Sequence, residues 1–363
     1  MKKKSIKIAI DVSPIVYGTG VSVYTKNLVK HLLKVDKDNE YLLFGGSFRR
    51  KDELKKFLTG LEGSYTYKIF DIPPTLADIM WNRFGIIGIE RLIGNVDVFH
   101  SSDWAQPPSK AFNVTTVHDL TPILFPGETH PKIRSVHSRR IEKVKRLVDR
   151  IIVPSNASKN DLLNIGFEDN KIRVIPEAVE LDTIGVDDVS SVKTKARVKG
   201  EYLLAVGTSK RKNINNIIAA FEKIKAETKV KNLVIVGHSS HNINKFKGVR
   251  YLGYVTNEEL GALYFGSSAL VYASLYEGFG LPILEAFKYG SPVVASNVSS
   301  MPEVAGRAAI YVNPNDIDSI AEGIKDALKN KKELIGEGQR RLRKYSWEKT
   351  AKMTLEVYKE ALA

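Results

Sequence analysis

The chain of 363 residues contains no cysteine. This absence excludes disulfide bonds, thiolate nucleophiles and thiolate metal sites, and it fits a cytoplasmic location. No apolar run approaches the roughly 18 residues that a membrane-spanning helix needs. The run Met1-Lys2-Lys3-Lys4 resembles the start of a signal peptide, but the segment 6–11 that follows is too short and too charged for its apolar core. We therefore expect a soluble protein that is not exported.

The chain has fewer acidic residues than basic ones. The chain has 41 Asp and Glu against 55 Lys and Arg, which gives a net charge of +14. Such an excess favours anionic partners, which include nucleic acid, an anionic membrane and anionic small substrates. The aromatic signature of RNA-binding sheets and the Cys/His spacing of zinc fingers are both missing, so we expect no nucleic-acid partner. The length predicts two domains at roughly 150 residues each.

Short apolar runs alternate with helical stretches along most of the chain. Most runs are continuous and β-branched, as is typical of strands buried on both faces of a parallel sheet. The predicted strands are 6–11, 41–44, 65–70, 96–100, 113–117, 151–154, 173–175, 202–206, 233–236, 250–252, 269–272, 292–295 and 309–312. Helical periodicity covers, among others, 21–33, 134–148, 214–226 and 317–328. This alternation predicts an α/β architecture of two doubly wound, Rossmann-like domains.

The alternation breaks once, between residues 177 and 200. The polar stretch 187–195 shows no strong period, and we predict a linker with a loop there. The boundary near residue 178 gives an N-terminal domain of residues 1–177 and a C-terminal domain of residues 178–345. The segment 346–363 is predicted to be a helix with Ser346 as its N-cap. Two such domains are expected to enclose a cleft at the carboxyl ends of their sheets, where ligands of these folds bind.

The most informative segment follows the predicted strand 269–272. Pro282 suits the first turn of a helix. Gly278, Phe279 and Gly280 are therefore predicted to form a tight loop at the N-terminus of that helix. The free N–H groups and the dipole of a helix N-terminus attract an anion, typically a phosphate.

Two glutamates flank this loop, Glu277 just before it and Glu285 one turn inside the helix. A carboxylate can accept two hydrogen bonds from the vicinal diol of a sugar, so a glutamate pair around a phosphate site suits a nucleotide sugar. Each glutamate alone is more often an ordinary loop or surface carboxylate. The combination of two glutamates separated by seven residues around a Gly-x-Gly-x-Pro loop is much more specific.

A basic turn, Lys210-Arg211-Lys212, follows the predicted strand 202–206. At the end of a strand it would meet a diphosphate. Preorganised arginine and lysine can stabilise the charge that develops on a departing nucleoside diphosphate without a metal ion. No cluster of metal-ligating side chains is evident, and we predict no metal site. A solvated turn is the competing interpretation.

His118 and Asp119 end the apolar run 114–117, so both are predicted to face the cleft. A histidine there can bind a hydroxyl group of the donor sugar or polarise a reacting group. The alternative is a structural histidine at the edge of the sheet. Asp119 could hold the imidazole ring or cap the next turn.

Gly18 and Gly20 open the first predicted helix. They could belong to a dinucleotide-binding loop, but Val23 occupies the position of the third glycine of that motif. We prefer a loop that lets the backbone approach the donor phosphate or the acceptor.

Together these motifs resemble the retaining glycosyltransferases of family 4, also called glycosyl transferases group 1, which have the GT-B fold. The resemblance extends over nearly the whole chain. It rests on Gly18-Thr19-Gly20-Val21 with Tyr24, His118-Asp119, the basic loop from Gly207 and Thr208 to Asn213, the Glu277–Glu285 motif, and the segment 299–306. It implies that the C-terminal domain binds a nucleotide diphosphate-sugar, that the N-terminal domain binds the acceptor, and that the final helix packs back on the N-terminal domain.

The resemblance also implies roles for individual residues. Glu285 is expected to bind the ribose diol, and Glu277 the hydroxyl groups of the donor sugar. Arg211 and Lys212 are expected to bind the diphosphate, and His118 to touch the sugar near its anomeric centre. The predicted catalytic residues are His118, Glu277, Arg211 and Lys212. The predicted donor-binding residues are Gly18, Gly20, Gly207, Thr208, Arg211, Lys212, Glu277, Gly278, Phe279, Gly280, Leu281 and Glu285.

Two positions depart from the family pattern. The turn after the predicted strand 173–175 reads Glu177-Ala178 where the family often has Asn-Gly, and the basic loop is one residue shorter than the family form. The Arg-Lys-Asn sequence of that loop favours a GDP-linked mannosyl donor, although the base, GDP or UDP, and the sugar stay open.

The sequence thus predicts a retaining, metal-independent enzyme without a separate cofactor. It would move a hexose of the mannose or glucose type to a saccharide or lipid-linked acceptor in glycan biosynthesis. The alternatives are another GT-B enzyme, such as a nucleotide-sugar 2-epimerase or a phosphorylase, and a non-catalytic basic binding protein.

A basic surface of the N-terminal domain carries a further prediction. Arg139, Lys143, Arg146 and Arg150 are predicted to share one face of a helix over 132–150. They form either an ordinary solvated face or a docking surface for an anionic membrane or a polyanionic acceptor. The predicted location is therefore the cytoplasm, with peripheral contact at the inner face of the membrane as the second option.

Overall fold

The computed structural model describes residues 5–180, 183–237 and 246–362. It divides into two compact units. The N-terminal unit contains the chain up to Glu177 together with the segment from Ser346 onwards, and the C-terminal unit runs from Ala178 to Tyr345. Each unit contains one parallel β-sheet. None of the helices in the described ranges has the length and apolar character that crossing a membrane requires.

The sheet of the N-terminal unit has seven strands, and every neighbouring pair is parallel. The strands are β1 (Lys7–Asp11), β2 (Glu40–Gly46), β3 (Thr66–Phe70), β4 (Val98–Ser101), β5 (Phe112–Thr116), β6 (Arg150–Val153) and β7 (Ile172–Val174). Their order is β3-β2-β1-β4-β5-β6-β7, so the direction of winding reverses between β1 and β4. Doubly wound folds bind ligands at the carboxyl ends of the strands that flank such a reversal.

Helices connect these strands and cover the sheet. They are α1 (Gly20–Val35), α2 (Lys51–Thr59), α3 (Pro74–Ala77), α4 (Glu90–Ile93), α5 (Thr121–Leu124), α6 (Pro131–Leu147) and α7 (Asn156–Asn164). A 3-10 turn, Ser13–Val16, follows β1, and a short π-helix, Asp78–Phe84, follows α3.

Within residues 183–237 and 246–345, the sheet of the C-terminal unit has six parallel strands in the order β10-β9-β8-β11-β12-β13, with the reversal between β8 and β11. The strands are β8 (Tyr202–Val206), β9 (Asn232–Val236), β10 (Val249–Gly253), β11 (Ala269–Tyr272), β12 (Val293–Ser296) and β13 (Ala309–Val312). Leu203 and Ala205 pack into the core on one face of this sheet, and Tyr202 and Leu204 pack into the core on the other. Burial on both faces explains why β8 is a continuous apolar run.

The helices of the C-terminal unit are α8 (Val186–Lys195), α9 (Ile214–Ile224), α10 (Asn257–Gly266), α11 (Leu281–Lys288), α12 (Met301–Ala305), α13 (Ile317–Lys329) and α14 (Lys331–Leu342). The predicted linker over 187–195 is wrong, because this stretch forms α8. Val192 and Ala196 bury one side of the helix in the core, and Asp188 accepts a hydrogen bond from the Gly185 N–H at its start, at 2.8 Å. Acidic residues in the first turn and lysines in the last turn also suit the helix dipole.

The last helix, α15 (Trp347–Lys359), belongs to the N-terminal unit. Ser346 caps it by accepting a hydrogen bond from the Lys349 N–H at 3.3 Å. The Trp347 ring packs edge-on against the Tyr24 ring of α1, with 5.7 Å between centroids. Further along α15, the Thr350 hydroxyl donates a hydrogen bond of 2.7 Å to the Pro176 carbonyl. The helix thus contacts both α1 and the turn that precedes Glu177.

The predicted basic face over 132–150 is wrong in part. Helix α6 ends at Leu147, so Arg150 lies at the start of β6 and is not on the helix. Arg150 also forms an ion pair with Glu360 at 2.5 Å, and Arg139 forms one with Asp78 at the same distance. Two of the four cations are therefore paired with carboxylates.

Candidate active site

The basic turn of the C-terminal unit follows β8, one of the two strands that flank the reversal. Gly207 has a φ of +89°, and a Cβ there would lie 2.8 Å from Cε of Lys212. Only glycine therefore fits both the backbone and the lysine. Asn213, in the left-handed region at φ +60°, ends the turn and donates from Nδ2 to the carbonyls of Ala273 and Pro314. These bonds hold the turn against the end of β11.

Arg211 and Lys212 meet at Glu277, which follows β11. Arg211 donates to Oε2 of Glu277 at 2.8 Å, and Lys212 donates to Oε1 at 2.6 Å. Burial alone would raise the pKa of Glu277, but the charges of Lys212 and Arg211 outweigh it and hold that pKa below its usual range. Lys212 also donates to the Tyr272 hydroxyl at 2.8 Å and lies 4.6 Å from the centre of that ring. The cluster is a preorganised pair of cations around one ionised carboxylate.

The loop between Glu277 and α11 is fixed by hydrogen bonds from two serine side chains. The Ser299 hydroxyl donates to the Glu277 carbonyl at 2.6 Å, and the Ser300 hydroxyl donates to the carbonyls of Glu277 and Phe279 at 2.9 and 2.6 Å. The Phe279 side chain is buried and packs edge-on against Tyr345, so only its backbone is placed to meet a ligand.

Helix α11 starts where the sequence predicts. Gly280 caps it at φ +111°, Leu281 is its first residue, and Pro282 lies in its first turn. The first N–H groups of a helix have no partner within the helix. Gly278 and Gly280 therefore belong to a loop whose geometry suits an anion at the end of β11.

Glu285 lies one turn inside α11 and accepts a hydrogen bond of 2.7 Å from the buried hydroxyl of Tyr264. Burial raises the pKa of Glu285, and the Tyr264 hydrogen bond and the charge of Lys212 offset this only in part. One carboxylate oxygen is thus fixed by the protein. The two glutamates differ in character: Glu277 is held ionised by its cations, and Glu285 is the weaker acid.

In the N-terminal unit, His118 follows β5 and is paired with a carboxylate that the sequence analysis did not single out as its partner. His118 Nδ1 lies 2.7 Å from Oε1 of the buried Glu177, and the Tyr24 ring packs edge-on against the imidazole with 4.5 Å between centroids. Burial would lower the pKa of His118, but the hydrogen bond to Glu177 and its charge raise it above the usual value. Glu177 is one of the two departures from the family pattern, and here it orients the histidine.

Asp119 has a local role. Its Oδ1 accepts a hydrogen bond of 2.8 Å from the Thr121 N–H, at the start of α5. Of the two roles predicted for Asp119, capping of the next turn is the one that this hydrogen bond shows.

The glycine loop opens α1, close in sequence to the carboxyl end of β1. Gly18 has a φ of +69°, and a Cβ on either Gly18 or Gly20 would meet no atom within 4 Å. Ser22 accepts a hydrogen bond from the Thr19 N–H at 3.1 Å and donates to the Pro14 carbonyl at 2.6 Å, which fixes the loop. The space beside both glycines is open to a ligand.

A cavity of about 100 Å³ in the N-terminal unit is lined by Val21, Asp103, His118, His137 and Arg140, among others. Arg140 is only 2% exposed and donates hydrogen bonds to Thr115 Oγ1 and to the Thr116 carbonyl. Burial lowers the pKa of Arg140 to about 10.

Sequence reasoning missed these polar neighbours of His118. Asp103 follows β4 just as His118 follows β5, and parallel strands bring their carboxyl ends to one edge of the sheet. That shared position was a signal that could have identified Asp103.

Among residues 5–180, 183–237 and 246–362, no group of three His, Asp or Glu residues is arranged to hold a metal ion. Acidic pairs with one intervening residue do occur at Asp36 and Asp38 and at Asp316 and Asp318. Asp36 accepts a hydrogen bond from the Tyr41 hydroxyl, and Asp316 caps α13. The pair of histidines at positions 238 and 241 lies outside the described residues.

The predicted site residues therefore fall into two sets, one in each unit. The set in the C-terminal unit follows the two strands that flank the reversal, β8 and β11, and in the N-terminal unit His118 follows β5, the neighbour of the flanking strand β4. The N-terminal unit holds Gly18, Gly20 and His118. The C-terminal unit holds Gly207, Thr208, Arg211, Lys212, Glu277, Gly278, Phe279, Gly280, Leu281 and Glu285. Within the second set, Arg211, Lys212 and Glu277 are in direct contact.

Comparison with known proteins gives matches over both units. The family described as Glycosyltransferase Family 4 matches residues 18–183, and the family described as Glycosyl transferases group 1 matches residues 187–349. The O-antigen chain mannosyltransferase B of Escherichia coli is 31% identical over 282 residues, which are 72% of this chain and 74% of that protein. The serotype-specific mannosyltransferase WbdA of Escherichia coli is 26% identical over 274 residues, 69% of this chain and 33% of WbdA. The solved structure of sucrose-phosphate synthase from Thermosynechococcus elongatus has a TM-score of 0.73 at 18% identity, and the match covers 98% of this chain and 99% of that one.

Proposed function

The chain belongs to the family 4 glycosyltransferases and has the GT-B fold, and on that premise we propose that this hexosyltransferase of glycan biosynthesis transfers a mannosyl group from a nucleotide diphosphate-sugar with retention of anomeric configuration. The observation that carries the proposal is the Arg211–Lys212–Glu277 cluster beside the N-terminus of α11. The cluster places two cations that can bind a diphosphate beside a carboxylate that can bind sugar hydroxyl groups, at the reversal point of one sheet.

In this proposal Arg211 and Lys212 bind the diphosphate of the donor. Negative charge grows on that group as the glycosidic bond breaks, and fixed cations in a site sheltered from water stabilise it without reorganisation. Glu277 holds both cations in place in the absence of the donor. Binding of the donor therefore does not incur the entropic cost of ordering their long side chains. We propose that this charge stabilisation replaces a metal ion.

Glu285 and Glu277 bind hydroxyl groups in this account. The carboxylate of Glu285 has one oxygen on the Tyr264 hydroxyl, which leaves the other oxygen to accept hydrogen bonds from the ribose diol. Glu277 accepts from the donor sugar. The loop containing Gly278 and Gly280 supplies backbone N–H groups to the diphosphate.

His118 acts on the sugar rather than on the nucleotide in this proposal. Glu177 fixes the imidazole by bonding Nδ1, so Nε2 is the nitrogen left to donate to the sugar near its anomeric centre. The N-terminal unit, with the open space at Gly18 and Gly20, binds the acceptor, a saccharide or a lipid-linked saccharide.

The identity of the sugar rests on the relatives, two of which are named as mannosyltransferases. The Arg211-Lys212-Asn213 turn favours GDP as the nucleotide of the donor. Thermal unfolding with a panel of GDP-, UDP- and ADP-sugars tests the proposal. We expect GDP-mannose to raise the melting temperature most. A rise in melting temperature with UDP-glucose alone would contradict the assignment of mannose as the sugar and GDP as the nucleotide. Formation of an epimerised nucleotide sugar would favour the epimerase alternative.

We also propose peripheral contact with an anionic membrane, on a surface that keeps Lys143 from the predicted basic face and adds exposed apolar side chains. Phe84 and Ile86 are 64% and 51% exposed, and a Cβ on the intervening Gly85 would lie 2.8 Å from the ammonium of Lys143. Apolar side chains next to cations are typical of proteins that bind at the membrane interface.

Co-sedimentation with phosphatidylglycerol vesicles tests the membrane contact. Phe84→Ser should weaken binding. Phe265→Ser is the control, because Phe265 is also exposed, at 46%, and lies on α10, which contains acidic residues but no lysine or arginine. Equal binding of both variants and the parent chain would contradict the proposal.

A further inference from the structure

The cavity beside His118 contains more hydrogen-bonding groups than the protein itself uses. It has about 100 Å³, and Asp103 and His118 enter its lining from the carboxyl ends of β4 and β5. His137 and Arg140 reach it from α6, where a spacing of three residues places them on one helix face. The function proposed above gives a role to His118 alone, so three polar side chains of the lining have no role in it.

Arg140 is fixed by the protein but keeps one nitrogen unbonded. Its Nε donates to the Ser102 carbonyl at 3.2 Å, and its Nη2 donates to Thr115 Oγ1 at 2.6 Å and to the Thr116 carbonyl at 3.2 Å. Within the residues that the structure describes, no hydrogen bond is found for Nη1. The side chain is buried and lines the cavity. Because an unbonded donor on a buried guanidinium is costly, we expect a ligand atom that accepts a hydrogen bond from Nη1.

Asp103 supplies the complementary acceptor. Over the described ranges, its half-buried carboxylate makes no hydrogen bond and no ion pair. Its charge acts on Arg140 and opposes the fall in the Arg140 pKa that burial causes. The two opposite charges therefore interact across the space that both of them line, without direct contact. A hydroxyl group can donate to the carboxylate and accept from the guanidinium at the same time.

The charges in the lining balance, which favours a neutral ligand. Asp103 and Asp119 are negative, whereas Arg140 and the His118 imidazolium are positive. Burial lowers the pKa of His137, so its neutral imidazole can donate from one ring nitrogen and accept at the other. The cluster in the C-terminal unit, by contrast, brings two cations to one carboxylate. An anion suits that cluster, whereas a group with both donors and acceptors suits the cavity.

The remaining lining is suited to the body of a sugar. Pro122, Ile123 and Ile141 form part of an apolar wall, which can contact the C–H groups of a sugar ring. The cavity exceeds the roughly 30 Å³ that one water molecule occupies in the liquid, so it has room for more than one hydroxyl group. Val21, which also lines it, directly follows Gly20. The cavity therefore adjoins the glycine loop that is proposed to meet the acceptor.

We propose that this cavity is an acceptor subsite that binds a neutral sugar residue. One hydroxyl group of the sugar donates to Asp103 and accepts from Nη1 of Arg140, and His137 binds a neighbouring hydroxyl group. The proposal rests on the proposed function, in which the N-terminal unit binds the acceptor, and it assigns the side chains that select that acceptor. A phosphorylated sugar is disfavoured, because its charge would lie beside the carboxylate of Asp103.

Transfer kinetics of Asp103→Asn test the subsite. GDP-mannose is the donor, and the acceptors are the methyl glycosides of mannose, glucose and galactose and their 6-phosphates. The parent chain should use the neutral glycosides in preference to the 6-phosphates. Loss of one charge-assisted hydrogen bond should raise the acceptor KM about tenfold and change the donor KM by less than roughly twofold. A pH of 6 keeps His118 largely protonated in both proteins, because it lies below the ordinary histidine pKa of about 6.5.

Asp169→Asn is the matched control. It removes the same charge from the N-terminal unit, but the Asp169 side chain is 67% exposed and precedes β7, at the opposite end of the strands from the cavity. Its ion pair with Lys159, at 2.6 Å, is a surface pair of small energetic value. The acceptor KM of this variant should stay within roughly twofold of the parent value, and both aspartate variants should melt close to the parent chain.

Arg140→Lys keeps the charge but loses the fixed fork of donors, so it should also raise the acceptor KM. Because Asp103 and Arg140 hold the same hydroxyl group, the double variant should lose less than the product of the two single losses. Multiplicative losses, an unchanged acceptor KM in Asp103→Asn, or a preference for the 6-phosphates would each overturn the proposal. A rise in the donor KM alone would place the donor sugar in the cavity. If Arg140→Lys fails to fold, Asp103→Asn decides the outcome.

Release of GDP in the absence of an acceptor separates this proposal from the proposed function. The parent chain and Asp103→Asn should hydrolyse GDP-mannose slowly and at equal rates. Hydrolysis that none of the neutral glycosides accelerates would retain the donor site and remove the acceptor subsite. Absence of both GDP release and any rise in melting temperature with nucleotide sugars would remove the proposed function itself, and the subsite with it.

Discussion

At the scale of single residues, the His118–Glu177 pair is the feature most open to test. His118 has a raised pKa because the neighbouring carboxylate of Glu177 favours the charged imidazolium. Other charged groups around His118 are Asp103 and Asp119, which act in the same direction, and Arg140 and His137, which line the same cavity. Glu177 is therefore a positioning residue for His118, and in the proposed function it would act on the sugar only through that histidine.

Glu177→Gln should move the pH dependence of transfer. If the imidazolium is the active form, the rate falls as pH rises through the pKa of His118. Loss of the carboxylate charge lowers that pKa, so the fall should begin at a lower pH. The rate against pH for parent and variant measures this. A uniform loss of rate at every pH would indicate a purely structural role for Glu177.

The same pair contributes to stability with a defined sign. A raised folded-state pKa gives stability that is fully present below the unfolded value of about 6.5 and is lost as pH rises through the folded value. Urea unfolding of the parent chain and His118→Gln at pH 6 and pH 9 should show a larger difference between them at pH 6. A difference that grows with pH would contradict the raised pKa.

Glu285→Gln tests the binding of the nucleotide. The amide retains an oxygen for the Tyr264 hydroxyl but lacks the charged oxygen proposed for the ribose diol. Affinity for free nucleoside diphosphate should fall by about 2–4 kcal/mol for two charge-assisted hydrogen bonds. Calorimetry measures the affinity, with Glu322→Gln, a change of an exposed side chain on α13, as control. Unchanged affinity would remove Glu285 from the site.

At the scale of elements, the basic turn and helix α15 carry different functions. The turn Lys210–Lys212 is proposed to act in the transition state. Arg211→Ala should therefore lower kcat more than it raises KM, by on the order of 10²-fold for one lost charge contact. Steady-state kinetics at varied donor concentration give both constants. A change confined to KM would assign Arg211 to ground-state binding.

Helix α15 is expected to stabilise the N-terminal unit rather than to bind the donor. Trp347 is 4% exposed and packs against Tyr24, which in turn packs against His118. Trp347→Ala should cost about 3–5 kcal/mol of unfolding free energy through the cavity it leaves. Nucleoside diphosphate affinity per folded molecule should not change. A weaker nucleotide affinity at full folding would give α15 a role in the donor site.

The sequence predicts the strands better than it predicts which side chains form hydrogen bonds with each other. Each predicted strand overlaps an observed one, because burial on both faces makes most strands recognisable apolar runs; the edge strand β3 is the exception, since its first three residues are exposed. Helix α8 was missed because its buried side carries few apolar residues among charged ones. Glu177 and Tyr264 were missed because their contacts join residues 59 and 21 positions apart, which no local pattern reveals.

At the scale of the whole molecule, the two units each place polar residues at the reversal point of a parallel sheet. The net charge of +14 suits an anionic ligand, which we propose to be the diphosphate of the donor at Arg211 and Lys212. The charge itself was readable from the sequence. The structure was needed to show which cations are paired with surface carboxylates, such as Arg139, and which gather around Glu277.

The central claim is that the Arg211–Lys212–Glu277 cluster activates a nucleotide diphosphate-sugar without a metal ion. The most direct measurement is the release of GDP from GDP-mannose by the full-length chain in EDTA, with a saccharide acceptor present. The account predicts steady release in EDTA and its loss on the order of 10²-fold in Arg211→Ala. Release that stops in EDTA and returns with Mg²⁺ or Mn²⁺, or that is unchanged in Arg211→Ala, would contradict it.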